Sequence, residues 1–384
     1  MAIPNRRRCA VLSTGRQDWG ILRTLCALLR EDAGFELQLV LGGMHGSDRF
    51  GLTRRMVIEE GFEPCEELNW IPGDQPLDPE RQAGDAVWMV AGALRRQRAE
   101  MLLLVGDRFE TASAALGATL ARVPIVHLHG GEETEGAFDN AFRHAITKLS
   151  HLHFTSHSEH TARIVAMGED PSCVHTVGAP GLDNLLRPDL ATRTELEADL
   201  GVALRPPVVL VTMHPVTLGG DPAEEVAAMI AAMDAVEATY IITLPNVDPG
   251  NEPVREALVR AATGSRRKAV DALGERRFWG LLRLADAMLG NSSSALIEAP
   301  VVGLPAVNIG DRQKGRLRGD NVLDAAPTPA AITTALRQAL SPAFRAMAKE
   351  ATSPFGRGGA SARIMSILRQ WTPPNPPIKR THRP

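Results

Sequence analysis

Short apolar runs recur along the first half of the chain, at Cys9–Leu12, Leu37–Leu41, Met101–Val105, Ile125–Leu128, Leu152–Thr155 and Val174–Val177. Between most of them lie longer stretches, such as Trp19–Arg30 and Ala83–Gln97, in which apolar residues fall three and four apart. The first pattern predicts strands and the second amphipathic helices. Their alternation predicts a parallel sheet covered by helices on both faces, and strands that are apolar on both sides fit a sheet buried twice.

After Gly178 the pattern changes: Pro180-Gly181, a charged helix over Ala191–Leu200, then Arg205-Pro206-Pro207. This stretch is the linker candidate. A second series follows, with strands at Val208–Val211, Tyr240–Thr243, near Lys268–Val270, Ala287–Leu289 and Ala306–Ile309. Helices near Pro222–Met233, Glu252–Ala262, Phe278–Ala285 and Ser294–Ala299 separate them, and Ala330–Leu340, Pro342–Glu350 and Ala360–Trp371 close the chain. The organisation predicted is α/β throughout: a Rossmann-like domain over 1–185, a second over 186–365, and over 366–384 the end of the last helix with a flexible, basic, proline-rich tail, Pro373–Pro384, that is expected to fray. No repeat of solenoid period is present.

Composition narrows the choice of partner. The 384 residues are 44% hydrophobic and 23% charged, ordinary soluble usage. Aromatics are only 4%, with one tyrosine, which argues against a stacking platform for single-stranded nucleic acid. Lys+Arg total 42 against 45 Asp+Glu, so no global field favours DNA or an anionic membrane, and an anionic ligand has to be met locally. The four cysteines, Cys9, Cys26, Cys65 and Cys173, form no paired motif, and the apolar stretch after Arg6-Arg7-Arg8 is far too short for a signal peptide or membrane span. A cytoplasmic protein with reduced cysteines is expected.

Ligands of open α/β sheets sit beyond the carboxyl ends of the strands. Polar clusters follow the predicted strands at Ser13-Thr14-Gly15-Arg16, Gly42-Gly43-Met44-His45, Gly106-Asp107-Arg108, His129-Gly130-Gly131-Glu132, Met213-His214-Pro215, Pro245-Asn246, Gly290-Asn291-Ser292-Ser293-Ser294 and Gly310-Asp311-Arg312. On one edge of two domains they imply a cleft. The Asn291–Ser294 run between strand and helix suits a diphosphate, although a serine cap on a glycine turn is the plain alternative. Glu298, further along that helix, could accept two ribose hydroxyls, and Arg312 would add a charge-assisted contact. Asp107 has a possible catalytic role, against pairing with Arg108 or capping the helix near Phe109. His214 holds the corresponding place in the second domain. A metal site from His127, His129 and Glu132 is the rival reading of that segment, but Gly130-Gly131 breaks the geometry and no H-E-x-x-H helix is present, so neither metal nor cofactor is expected.

These clusters, together with Gly106-Asp107-Arg108-Phe109-Glu110, His127 to Glu132, Phe142 to Lys148, His214-Pro215-Val216-Thr217 and Asn308 to Arg316, resemble the hydrolysing UDP-N-acetylglucosamine 2-epimerases. Members of that family start sialic acid synthesis in bacteria and form the epimerase half of the animal bifunctional enzyme. The likeness runs from about residue 8 to about residue 370. It implies the two-domain fold of the GT-B type, with UDP held mainly by the second domain. It places Asp107, Asp139 and His214 on catalytic positions, and Asn246, Ser292, Ser293, Glu298 and Arg312 on nucleotide contacts. Arg16, His45 and Arg108 then fall on the substrate side of the first domain. Some members carry a catalytic glutamate where this chain has His129 and others a histidine, so the acid or base there is open between His129, Glu132 and Glu135.

The activity implied is conversion of UDP-N-acetylglucosamine to N-acetylmannosamine and UDP, by elimination to a glycal and hydration with inversion at carbon 2. Within the family, the same reaction on the UDP-2,4-diacetamido-2,4,6-trideoxy sugar used for legionaminic acid is the alternative. From other classes, a GT-B glycosyltransferase or a non-catalytic UDP-sugar sensor would share the nucleotide pocket. A homodimer or homotetramer is the expected assembly.

Overall fold

The computed structural model describes residues 6–47, 53–71, 78–133, 139–215, 221–245, 251–379 and 382. The chain divides into two compact units. The first takes the chain up to Asp183, apart from 133–138, and regains it from Gly358 onward; the second is built on Asn184–Arg357.

In the first unit, β1 (Arg7–Ser13), β2 (Phe35–Gly42), β3 (Glu66–Leu68), β4 (Met101–Val105), β5 (Ile125–Leu128), β6 (Leu152–Thr155) and β7 (Val174–Thr176) form a sheet in the order β3-β2-β1-β4-β5-β6-β7. Every neighbouring pair is parallel. β4, β5 and β6 have the predicted bounds because each is buried along its whole length, which leaves an uninterrupted apolar run. The short β3 is an edge strand of sequence Glu-Glu-Leu with one paired side, so no apolar run announces it.

The helix Arg16–Glu31 buries Trp19, Leu22, Leu25, Cys26 and Leu29, the three-and-four spacing of a single face. Against the same core lie Ile364, Met365 and Leu368 of the helix Ala360–Gln370. Fully burying side chains of this kind stabilises by roughly 1.5–3 kcal/mol each. Asp183 caps this last helix, accepting from the N–H groups of Ala360 (3.0 Å) and Ser361 (2.8 Å), while Arg7 donates to the carbonyls of Trp371 (2.6 Å) and Leu368 (2.9 Å).

The predicted second domain, 186–365, is therefore corrected at its end: the chain returns to the first unit at Gly358, because the apolar face of its last helix completes that unit's core. The tail Pro373–Pro384, expected to fray, is likewise tied down at residues that the structure describes. Lys379 donates to the buried Glu169 carboxylate (2.7 Å) and to the Thr147 carbonyl (2.7 Å), and His382 N–H donates to the Gly168 carbonyl (2.9 Å).

The second unit repeats the plan. β8 (Val208–Thr212), β9 (Thr239–Thr243), β10 (Arg267–Val270), β11 (Ala287–Gly290), β12 (Ala306–Ile309) and β13 (Val322–Ala325) form a parallel sheet in the order β10-β9-β8-β11-β12-β13. In both sheets the chain leaves the central strand in one direction, then crosses to its other side, as in a Rossmann sheet. The predicted helix Ser294–Ala299 is shorter than expected. An α-helical turn over Ser294–Ile297 passes into a 3-10 turn over Ala299–Val302, with Pro300 at the junction.

Candidate active site

In each unit the crossover separates two central strands, β1 and β4 in the first and β8 and β11 in the second, and their carboxyl ends carry the polar clusters.

Asp107 stands one residue beyond Gly106 at the end of β4, its side chain about one quarter exposed. Neither alternative of the sequence reading holds. Arg108 is gripped by the buried Glu110 carboxylate (3.1 and 3.2 Å) and its side chain does not cap the helix Phe109–Ala121; Asp107 instead forms an ion pair with Arg143. Arg143, on the helix Asp139–Leu149, is among the largest fully buried side chains of the chain. A buried guanidinium needs its charge matched and its donors filled. Besides Asp107, Arg143 donates to the Glu132 carbonyl (2.8 Å) and to Asn140 Oδ1 (2.6 Å), so one side chain ties the end of β4 to the loop after β5.

That loop carries His129, whose φ of +63° puts a non-glycine residue in the left-handed region. Its N–H donates to the Phe154 carbonyl of β6 (3.0 Å), and its Nδ1 meets Glu132 Oε1 at 2.7 Å. Glu132, itself buried, also accepts from Ser156 Oγ (2.8 Å), and Ser156 Oγ lies 3.0 Å from His160 Nδ1. Gly131 makes this proximity possible: its φ is +76°, and a Cβ there would stand 2.4 Å from the His160 carbonyl oxygen.

Asp139 opens the helix that presents Arg143, and Arg16 opens the helix after β1. His45 is the residue whose place departs most from expectation. It is buried, with Nε2 against Ser13 Oγ (2.8 Å) and Nδ1 against Thr53 Oγ1 (2.9 Å), and burial lowers its pKa to about 4. It is a neutral buttress between β1 and β2, with both ring nitrogens engaged. Asp18, which receives the N–H (2.8 Å) and hydroxyl (2.6 Å) of Thr14, is pushed up to about 6 by burial. His127 and His129 do not converge on one centre: His127 Nε2 donates to the Gly106 carbonyl (2.8 Å) while His129 turns to Glu132. Among the described residues, no group of three His, Cys, Asp or Glu side chains is arranged to hold a metal ion.

In the second unit the corresponding junction is made by an amide. Asn291 is fully buried after β11; its Oδ1 accepts from His214 N–H (2.8 Å) and its Nδ2 donates to the His214 carbonyl (2.8 Å). Gly290 lets the two strands come this close, since a Cβ on it would lie 1.9 Å from the Thr212 carbonyl oxygen. The Asn291 carbonyl accepts from Arg312 Nη1 (3.2 Å) and Gln313 Nε2 (2.8 Å), which fixes the loop after β12 beside the serine run. Ser292 Oγ accepts from Ser294 N–H at 3.3 Å, and Ser293 is the N-cap position. Glu298 is the C-cap of that short turn, its N–H on the Ser294 carbonyl (3.1 Å), so only one turn of backbone dipoles faces the serines. His214, Ser292, Ser293 and Arg312 are thus held around Asn291 at the carboxyl ends of β8, β11 and β12, and Glu298 follows one helical turn after the serines. Asn246 and Glu135 lie outside the described residues.

A family model described as UDP-N-acetylglucosamine 2-epimerase matches residues 27–369. The chain belongs to that family. Among its relatives, a GDP/UDP-N,N'-diacetylbacillosamine 2-epimerase (hydrolysing) of Campylobacter jejuni is 33% identical over 326 residues, 84% of this chain and 85% of the relative. A UDP-N,N'-diacetylbacillosamine 2-epimerase (hydrolysing) of Legionella pneumophila is 32% identical over 369 residues, 94% and 96% of the two chains. A UDP-N-acetylglucosamine 2-epimerase of Neisseria meningitidis is 29% identical over 338 residues, 87% and 88%. The fold matches that of a Neisseria meningitidis UDP-GlcNAc 2-epimerase solved with UDP-GlcNAc bound, with a TM-score of 0.80 at 15% identity, over 94% of this chain and 100% of that one. The expected fold class, two Rossmann-like α/β units of the GT-B type, is the one this epimerase family chain has.

Of the residues that build the site, Arg143 and Ser156 were given no role in the sequence reading, and Asn291 was read as part of a diphosphate-binding run and not as the joint to His214. All are buried polar side chains joining separate strand ends, and the partner each one reaches is not something sequence spacing reveals. Arg143 does sit within the Phe142 to Lys148 motif, so a charged residue in a recognisable motif was the available signal.

Proposed function

We propose that this chain catalyses the hydrolysing 2-epimerisation of a UDP-2-acetamido sugar. The carbon 2 proton is removed as UDP leaves carbon 1, giving a glycal. Water then adds to carbon 1 and a proton to the opposite face of carbon 2, so UDP-sugar and water yield UDP and the free, inverted sugar. The observation that carries this is the pairing, at the ends of adjacent strands β4 and β5, of two ionisable centres, Asp107 with Arg143 and His129 with Glu132. Proton removal and return from opposite faces need two such groups within reach of one ring. Asp139 and His214 complete the proposed catalytic set, and Arg16, Arg108, Asn246, Ser292, Ser293, Glu298 and Arg312 the substrate contacts, with Arg312 facing the departing diphosphate. His45 supports the loop after β1 from behind.

For the substrate we propose the UDP-2,4-diacetamido-2,4,6-trideoxy sugar over UDP-N-acetylglucosamine. Two relatives named for diacetylbacillosamine stand at 33% and 32% identity, against 29% for one named for UDP-N-acetylglucosamine. The test is side-by-side turnover of both nucleotide sugars in heavy water, followed by mass spectrometry of the free sugar. The expected result is UDP release with one deuterium at carbon 2, faster on the diacetamido sugar. Product that keeps its original hydrogen overturns the elimination. Faster turnover of UDP-N-acetylglucosamine reverses the substrate choice, and transfer to an added acceptor without free sugar makes the protein a glycosyltransferase.

A further inference from the structure

Behind His129 and Glu132 the hydrogen bonds continue into residues that no part of the reaction touches. Ser156 directly follows β6 and His160 sits in the first turn of the helix Ser158–Ala166, and both are buried, at 3% and 6% exposure. The proton positions in this chain follow from what each group can donate. An ionised Glu132 only accepts, so both Ser156 Oγ (2.8 Å) and His129 Nδ1 (2.7 Å) must donate to its Oε1. A hydroxyl has one proton. Having given it to Glu132, Ser156 can only accept from His160, whose Nδ1 at 3.0 Å must then carry a proton. At the other end, His129 with its proton on Nδ1 is left with an unprotonated Nε2, a buried atom with no hydrogen-bond partner among the described residues.

We infer that Ser156 and His160 are positioning residues that hold His129 in its Nδ1-protonated tautomer, with the Nε2 lone pair presented as the proton acceptor of the reaction. This rests on the proposed role of His129 and extends it. Two donors on Oε1 keep Glu132 ionised and pointed at His129; with Ser156 removed, the carboxylate loses one of these donors and holds the ring in its tautomer less firmly. The close approach is built into the backbone, because Gly131 has no side chain to displace the helix that carries His160, and Arg163 of the same helix donates to the Gly131 carbonyl. The charged and titratable groups around the relay are Arg143 on the Glu132 carbonyl, Arg163, His127 within electrostatic range of both His129 and Glu132, and His157 5.9 Å from His160. Burial lowers the pKa of His160 to about 4, which keeps it a neutral donor at pH 7.

The first measurement needs no substrate. In full-length protein carrying ¹⁵N-labelled histidine, long-range ¹H–¹⁵N correlation, assigned with His129→Gln, should show the neutral His129 ring protonated at Nδ1; a neutral ring protonated at Nε2 overturns the inference. The second is kinetic. Ser156→Ala should lower kcat by roughly threefold to thirtyfold with KM nearly unchanged, the range expected for coupled neighbours, and should move the acid limb of the pH–rate profile. Ser156→Thr, which keeps the hydroxyl, should restore most of the rate, and His160→Asn, with a donor near the Nδ1 place, should outperform His160→Leu. Equal losses in the threonine and alanine variants, or an unmoved pH profile, overturn the positioning role. If the parent turns over no UDP-sugar, the functional reading fails while the tautomer result still decides the relay.

Discussion

The two units solve one architectural problem, fixing the loops at the carboxyl ends of their strands, with different chemistry. In the first, the joints are titratable: Arg143 with Asp107, His129 with Glu132, His45 between Ser13 and Thr53. In the second, the joint is the Asn291 amide, which clasps both backbone groups of His214 and carries no proton that pH can move. The histidines divide accordingly: of the chain's eleven, His214 alone falls in Asn184–Arg357. The joints of the first unit are therefore sensitive to acid, whereas the Asn291 joint of the second is indifferent to it.

The largest effect expected from this contrast is on stability in acid. Burial depresses His45 to about 4, His127 to about 3 and His160 to about 4, against an ordinary value of 6.5. A base whose folded pKa lies below its unfolded one contributes stability above pH 6.5 and loses it as the pH falls toward the folded value. Between pH 7 and 5 these three together should remove on the order of 5 kcal/mol from the first unit. Asp18, raised to about 6, takes up a proton on folding over the same range and returns about 1 kcal/mol. Thermal melts followed separately by Trp19 and Trp279 fluorescence in single-tryptophan variants should therefore split on acidification, the first unit melting earlier. Coincident transitions at pH 5 would mean that the units do not differ as described.

Catalysis gives the next largest effect. Asp107→Asn keeps size and removes charge, so turnover should fall by roughly a hundredfold or more while UDP affinity, measured by calorimetry, changes little. Unimpaired turnover would remove Asp107 from the catalytic set. In the second unit the matching experiment is Asn291→Ala. It strips partners from two buried backbone groups and should cost roughly 2–3 kcal/mol in denaturant unfolding, with a loss that does not vary between pH 7 and 5. A loss that grows in acid would break the contrast between the units. Smallest is Glu298→Gln, expected to weaken UDP by roughly 1–3 kcal/mol through a weaker acceptor for hydroxyl groups, with kcat preserved. A fall in kcat with unchanged affinity would move Glu298 from binding to chemistry.

The sequence by itself determined the repeated α/β plan and the bounds of the strands at the centre of each sheet, because a strand covered on both faces must be apolar along its length. β4, β5 and β12 lie where the apolar runs put them, while the edge strands β3 and β13, paired on one side and carrying Glu66, Glu67 and Asp324, left no such run. It also determined where chemistry would gather, since polar residues directly after buried strands have the sheet edge as their place. Only the tertiary structure decided which of those residues meet. Arg143 reaches Asp107 across 36 positions, Asn291 reaches His214 across 77, and Asp183 caps a helix at Ala360 across 177, and each contact depends on strand order and register that local pattern does not encode. The same holds for His45 and His129. As letters they are equivalent histidines, each shortly after a predicted strand; burial between two hydroxyls makes one a support, and a left-handed backbone turn beside Glu132 makes the other a candidate for moving protons.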